Sequence, residues 1–172
     1  EKMQALLESG EEAVDLTGIV PAPVLEVNGE DAQQARAEGE AALRSGKVGA
    51  ILVAGGQGSR LGFDGPKGSF PIGPISEAPL FAFHSRKILA LERKYATEIP
   101  FYIMTSTTND AATRAFFEEN DFFGLDSSRV YFFVQGMWPA LRDDGSLVLD
   151  QPGHIFVSPD GHGGTLRALC VN

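Results

Sequence analysis

The chain has 172 residues, 43% of them hydrophobic, and a formal net charge of -9. This is enough apolar material for a core, while the acidic balance excludes broad binding to nucleic acid or an anionic membrane, which needs a net basic face. A single cysteine, Cys170, excludes an internal disulfide framework or a Cys-rich zinc site and fits a reducing, cytoplasmic setting.

Taken in chain order, the opening stretch EKMQALLESGEEAVDL is too acidic and too broken for a signal peptide, and no apolar run reaches the roughly 18 residues of a membrane span. The chain therefore reads as soluble. It opens on Glu and stops inside the apolar pattern LRALCVN, so both ends read as cut. Met3, Leu6, Leu7, Val14 and Leu16 predict a short amphipathic helix over 1–16, interrupted near Gly10. Residues 18–29, with Pro21 and Pro23, predict an extended linker, and Asp31 opens a second helix running to about Ser45 and stopped by Gly46. Residues 1–46 thus form a helical segment of packing character, and an α/β domain begins at Lys47.

VGAILVA, 48–54, is a continuous apolar run bounded by glycine, the pattern of a strand covered on both faces. After a glycine-rich loop, Pro79–Tyr95 predicts a helix with its polar face at Arg86, Lys87 and Arg93. PFYIMT (100–105) predicts a second strand, Asn109–Asn120 a helix, and VYFFVQ (130–135) a third strand. Strand, helix, strand, helix, strand is the order of a parallel α/β sheet flanked by helices. His84 and the phenylalanine pairs 116–117 and 122–123 read as packing, and Trp138 as core or lid packing. SLVLD and HIFVS predict a hairpin-like pair, and SPDGHGGTLRAL a loop opening a helix.

The loop after the first strand, GGQGSRLGFDGPKG, carries the chemistry. In open α/β sheets the ligand crevice lies beyond the carboxyl ends of the strands, where the first loop commonly takes phosphate. A dinucleotide fingerprint would need glycine at 61, which is Leu61, and a phosphate-cradling Gly-Lys-Ser/Thr ending is missing because Lys67 sits between Pro66 and Gly68. What remains is a loop in which Gly55, Gly56 and Gly58 let backbone approach a base or phosphate and offer bare N–H donors, with the cations Arg60 and Lys67 beside them. An acidic protein must neutralise a nucleoside triphosphate locally, and a forked arginine plus a compact lysine suits that task. The plain alternative is a tight turn with solvated cations.

These residues, together with FYIMTSTTND (101–110), FFEENDFFGLDSSRVYFFVQGMWPAL (116–141) and SPDGHGGTLRAL (158–169), resemble the UDP-sugar pyrophosphorylases, and within them the UDP-N-acetylglucosamine pyrophosphorylase type, collinearly from about Arg36 to Leu169. The resemblance implies a Rossmann-like nucleotidyltransferase fold, of which 47–172 is the first part of the nucleotide-binding catalytic domain. It implies transfer of uridylate from UTP to a sugar 1-phosphate, N-acetylglucosamine 1-phosphate favoured, with Mg2+; the acidic charge speaks against a nucleic-acid or membrane partner, and no protein partner is indicated. It assigns Gly55, Gly56 and Gly58 to backbone contacts with the nucleotide, Arg60 to the departing β,γ-phosphates and Lys67 to the α-phosphate and incoming sugar phosphate. Gln135 matches the glutamine that reads uracil, an amide offering one donor and one acceptor edge, and Gly161 the glycine against the base. A strand-end role in satisfying loop backbone is the alternative for Gln135.

PDGHGG departs from the PDGNGG usual in the eukaryotic N-acetylglucosamine enzymes and mixes in the GHG core of the UDP-glucose type. His162 is therefore a contact to sugar or phosphate, or a loop histidine held by backbone bonds. Thr105 and Ser106 come near the nucleotide by the same resemblance, with strand capping as the alternative. The metal aspartate is expected beyond the end of the chain; Asp64 and Asp160 read as loop residues. A UDP-glucose or broad UDP-sugar pyrophosphorylase, or a uridine-nucleotide-binding module without turnover, remains the rival reading. A sugar transferase of similar fold would carry Asp-x-Asp, which the sequence lacks.

Overall fold

The computed structural model describes residues 17–24, 26–29, 31–161 and 163–171; the helix predicted over 1–16 lies outside them. The chain forms two compact units, one of Arg36–Met137 with Pro159–Asn172, the other of the amino-terminal stretch to Ala35 with Trp138–Ser158.

Helix α1 (Ala32–Arg44) leads into the larger unit. It buries none of its residues, and its Glu40 pairs with Arg36 at 3.7 Å and Arg44 at 3.1 Å, exposed pairs each worth a few tenths of a kcal/mol, about 0.2–0.5. Gly46, at φ +67°, lets the helix end as expected, with its N–H donating to Leu43 and that of Lys47 to Ala42.

Strands β1 (Ala50–Val53), β2 (Phe101–Thr105) and β3 (Val130–Val134) make a wholly parallel sheet in the order β1-β2-β3. Helix α2 (Leu80–Tyr95) follows β1, and α3 (Asp110–Glu119) follows β2. One expectation fails. Within these 172 residues β1 is not covered on both faces, Ile51 and Val53 each being 48% exposed; a short apolar run states what a strand can bury and not which part of a chain covers it. The central strand β2 is the buried one, with Ile103 and Thr105 wholly inaccessible.

The core gathers on Phe117, fully buried and ringed by Phe81, Phe101, Phe122, Phe123 and Phe132. Phe122 and Phe123 take left-handed backbone angles, φ 47° and 55°, which cost non-glycine residues about 1–2 kcal/mol each. Their rings pack on Phe117, so burial of aromatic surface offsets that cost.

In the smaller unit β5 (Leu149–Gln151) pairs antiparallel with β6 (His154–Ile155), the hairpin expected from SLVLD and HIFVS. Asp150 and His154 bond across it at 2.6 Å. Strands β4 (Met137–Pro139) and β7 (Val157–Pro159) also pair. Trp138 is 40% exposed and is no core residue. Helix α4 (Gly163–Val171), part of the larger unit, opens out of the PDGHGG loop as expected and sets Ala168 against Met104 and Phe133. Among the described residues no helix is long and apolar enough to cross a membrane.

Candidate functional site

The carboxyl ends of β1, β2 and β3 lie side by side because the strands are parallel and in register, Val53 opposite Met104 and Thr105 opposite Val134. Everything that leaves those ends is brought together: the glycine loop from β1, Thr105–Asn109 from β2, and Gln135–Gly136 from β3.

The glycine loop is closed on itself. Lys67 N–H donates to the Gly56 carbonyl at 3.1 Å, and Gly58 N–H donates to that of Gly65 at 2.9 Å. Within the closure Ser59–Leu61 forms a single 3-10 turn ended by Gly62 at φ +66°, and Lys67–Ser69 forms a second one that starts at its end. A cavity of about 370 Å³ opens on the loop, lined by Gly56, Gln57, Ser59, Arg60, Leu61 and Lys67. Both cations of the sequence reading thus line one pocket. Their side chains are exposed, and neither makes an ion pair with a carboxylate among the described residues.

Gly55 and Gln135 meet. A Cβ on Gly55 would fall 2.8 Å from both Nε2 and Oε1 of Gln135, so the absence of a side chain is what lets the amide lie there. Gln135 is 9% exposed, and its backbone N–H donates to Thr105 at 2.9 Å, so the residue is anchored by its main chain and leaves its amide toward the loop. Gly58 differs from expectation. Its N–H is committed to Gly65 and its α-carbon lies under the Phe63 ring, 2.7 Å from a would-be Cβ, so it shapes the loop rather than offering a bare donor.

Gly136, beside Gln135, accepts the N–H of Asp160 at 3.1 Å, which draws the PDGHGG loop to the same strand end. The Asp160 carboxylate occupies the space where a Cβ on Gly136 or Gly164 would be, and its Oδ1 is buried without a partner among the described residues. Gly161 follows at φ +74°, exposed. His162 lies outside the described residues.

Thr105 and Ser106 turn out to be scaffold. Thr105 Oγ1 lies 2.5 Å from Asp110 Oδ1 and 3.2 Å from the Phe133 carbonyl, while Arg114 Nε donates to the other carboxylate oxygen at 2.8 Å and Nη2 to Phe132 at 3.3 Å. Burial alone would raise the Asp110 pKa, but the hydrogen bonds from Arg114 and Thr105, with the guanidinium charge, outweigh it and hold the carboxyl below its ordinary value. Ser106 gives both its N–H, at 2.9 Å, and its hydroxyl, at 3.0 Å, to Oδ1 of Asn109.

Asn109 reads in the sequence only as a helix start. It is fully buried, and its Nδ2 donates to the carbonyls of Ala54 at 2.9 Å and Gly56 at 3.2 Å, so its amide reaches back across the sheet to the glycine loop. Nothing in its immediate neighbourhood signalled this, because its partners lie more than fifty residues upstream.

The model of one family, described as UTP–glucose-1-phosphate uridylyltransferase, matches residues 2–172. The chain belongs to this family. Within this uridylyltransferase family it is 42% identical over 135 residues to a UDP-N-acetylglucosamine pyrophosphorylase of Saccharomyces cerevisiae, a match covering 76% of the chain and 28% of the relative. It is 39% identical over 137 residues to UDP-N-acetylglucosamine diphosphorylase 1 of Arabidopsis thaliana, covering 74% and 27%. The crystal structure of the Trypanosoma brucei uridine diphosphate N-acetylglucosamine pyrophosphorylase with an inhibitor superposes with a TM-score of 0.70 at 33% identity, over 82% of this chain and 30% of that one. The chain thus spans less than a third of the length of these relatives, and the Rossmann-like α/β expectation is met. Among the described residues no group of three or more His, Cys, Asp or Glu is placed to hold a metal ion.

Proposed function

We propose that the protein carrying this chain is a uridylyltransferase that makes a UDP-sugar and pyrophosphate from UTP and a sugar 1-phosphate, N-acetylglucosamine 1-phosphate favoured. The observation that carries the reading is the union of one cavity holding two unpaired cations, Arg60 and Lys67, with a glycine, Gly55, bare enough for the Gln135 amide to lie on it. An unpaired pair of cations beside a closed glycine loop suits a polyphosphate, and an adjacent amide suits the edge of a pyrimidine.

In this reading a phosphate oxygen of the sugar 1-phosphate attacks the α-phosphorus of UTP, the bond from that phosphorus to the bridging oxygen of the β-phosphate breaks, and pyrophosphate leaves with the electron pair. Arg60 holds the departing β,γ-phosphates, and Lys67 neutralises charge where nucleophile and α-phosphate meet. Gly55 and Gly56 give the nucleotide backbone contacts, Gly58 shapes the loop, and Gln135 with Gly161 receives the base. No general base is required, since the attacking phosphate is already anionic. Magnesium would supply further charge neutralisation when bound. The cytoplasm suits such a protein.

The family's glucose 1-phosphate description and the GHG core of PDGHGG favour glucose 1-phosphate as the second substrate to try. With the full-length protein, UTP and magnesium, pyrophosphate release is expected with N-acetylglucosamine 1-phosphate and more weakly with glucose 1-phosphate. Lys67→Ala and Arg60→Ala should each lower kcat/KM by about 100-fold or more while leaving the unfolding midpoint in place, because both side chains are exposed and unpaired. Silence with both sugars while UTP still binds would leave a nucleotide-binding module in its place.

A further inference from the structure

We propose that Asn109 is the positioning residue of this site, the clasp that holds the glycine loop closed and thereby fixes where Gly55 meets Gln135 and where Lys67 enters the cavity. The consequence for turnover rests on the uridylyltransferase reading; the clasp itself does not.

Asn109 occupies the N-cap position of α3, where asparagine is favoured because its side-chain oxygen can accept a helix N–H. It makes no such bond. Its Oδ1 instead accepts from the N–H and hydroxyl of Ser106, which leaves Nδ2 pointing at the loop with both protons available, and the Ala54 and Gly56 carbonyls take them. The orientation of the amide is dictated by chemistry, since two carbonyls can only face a donor. All four hydrogen-bonding capacities of a wholly buried side chain are thus used to join the end of β2 to the loop.

The two carbonyls bracket Gly55. Ala54 is also held from β2, its N–H donating to Met104 at 2.7 Å, and the Gly56 carbonyl accepts the N–H of Lys67 as well as that of Asn109. The loop's entry at Ala54 and its closure at Lys67 therefore hang on two carbonyl oxygens that Asn109 holds, those of Ala54 and Gly56. Aspartate has the same shape but lacks the donors, and serine is too short to reach two carbonyls.

The test uses the full-length protein as wild type, Asn109→Ala, Asn109→Asp, Ser106→Ala and, as a control at the far end of the same helix, Asn120→Ala, whose side-chain amide donates to the Phe116 carbonyl. Amide hydrogen exchange at Gly58 and Lys67, whose N–H groups close the loop, reads the clasp directly; calorimetric UTP affinity and the split between KM and kcat read its consequence. In Asn109→Ala these two amides should exchange at least about tenfold faster, with the interiors of β2 and α3 unchanged, and UTP should bind about tenfold more weakly, as expected for one to two lost hydrogen bonds. Asn109→Asp should match it at neutral pH and regain affinity on mild acidification, because a carboxyl facing two carbonyls is desolvated, protonates readily and then donates to one of them. The charged groups on that helix turn, Asp110 and Arg114, are bonded to each other and are the same in every variant. Asn120→Ala should move none of these readouts.

Unchanged loop exchange in Asn109→Ala, or an Asn109→Asp profile that follows the wild type at every pH, would overturn the clasp. Should Asn109→Ala fail to fold, Ser106→Ala decides, since it removes one of the two bonds that orient the amide and must show the same loop-confined acceleration at smaller size. If the wild type binds no UTP, the functional reading fails, and the exchange data still decide the clasp.

Discussion

Two regions of the larger unit are built on opposite terms. Around Phe117 the chain packs ring on ring, and what matters is apolar volume; at the carboxyl ends of the strands it packs backbone against side chain, and what matters is the absence of volume. The glycine loop runs from one region to the other. Gly55 lies under the Gln135 amide at the site, whereas Gly68 lies against the ring of Phe81, a core residue only 1% exposed. Both glycines are required because something occupies the place of their Cβ. What occupies it decides which property a methyl group would damage.

That contrast can be broken at either end, and the larger effect belongs to the core. In Gly68→Ala the new methyl overlaps a ring that is locked between Phe116 and Phe117, so ring and turn must shift together. Overpacking of this kind costs about 1–3 kcal/mol. A urea titration should show the midpoint fall by the corresponding amount, and an unchanged midpoint would mean that the Phe81 contact gives way more easily than its burial implies.

Gly55→Ala should do the reverse. The atom it strikes is the end of a flexible side chain, which can swing aside at a cost under about 1 kcal/mol, so the midpoint should barely move. If the chain binds UTP as proposed, the displaced amide is lost to the base, and UTP affinity should fall about tenfold, the worth of roughly one hydrogen bond plus its misplacement. Equal losses of stability in the two alanine variants would erase the distinction between the regions.

The sheet, the helices around it and the aromatic core were legible because each follows a local period or composition: FYIMT and VYFFV as strands, Phe116–Phe117 and Phe122–Phe123 as packing. Arg60 and Lys67 were legible as candidates from residue type and position after a strand, Gln135 only through the family resemblance, and the two cations do line one cavity. Less could be read where the reason lies across the fold. Gly58 spends its N–H on Gly65, and Asn109 on carbonyls beyond the sheet, so neither role has a signature in its own neighbourhood. The half-exposed Ile51 and Val53 fail for a related reason, because an apolar run states what a strand could bury and not what is there to cover it.

The smallest expected effect lies at the joint between the two regions, the Thr105–Asp110–Arg114 network on the first turn of α3. Asp110 is ionised below its ordinary range, so its contribution to stability is fully present above the unfolded carboxyl pKa of about 3.9 and is lost as pH falls through the still lower folded value. A carboxylate in the first turn also favours the helix dipole. Asp110→Asn should therefore be less stable than wild type at pH 7 by less than about 1 kcal/mol, since the Arg114 side chain is 43% exposed and its charge is screened. Unfolding midpoints measured from pH 7 down to pH 3 should show the two proteins converging only at the acid end. A constant gap across that range would mean that Asp110 holds the joint by its shape alone and that charge has no part in fastening the polar strand ends to the aromatic core.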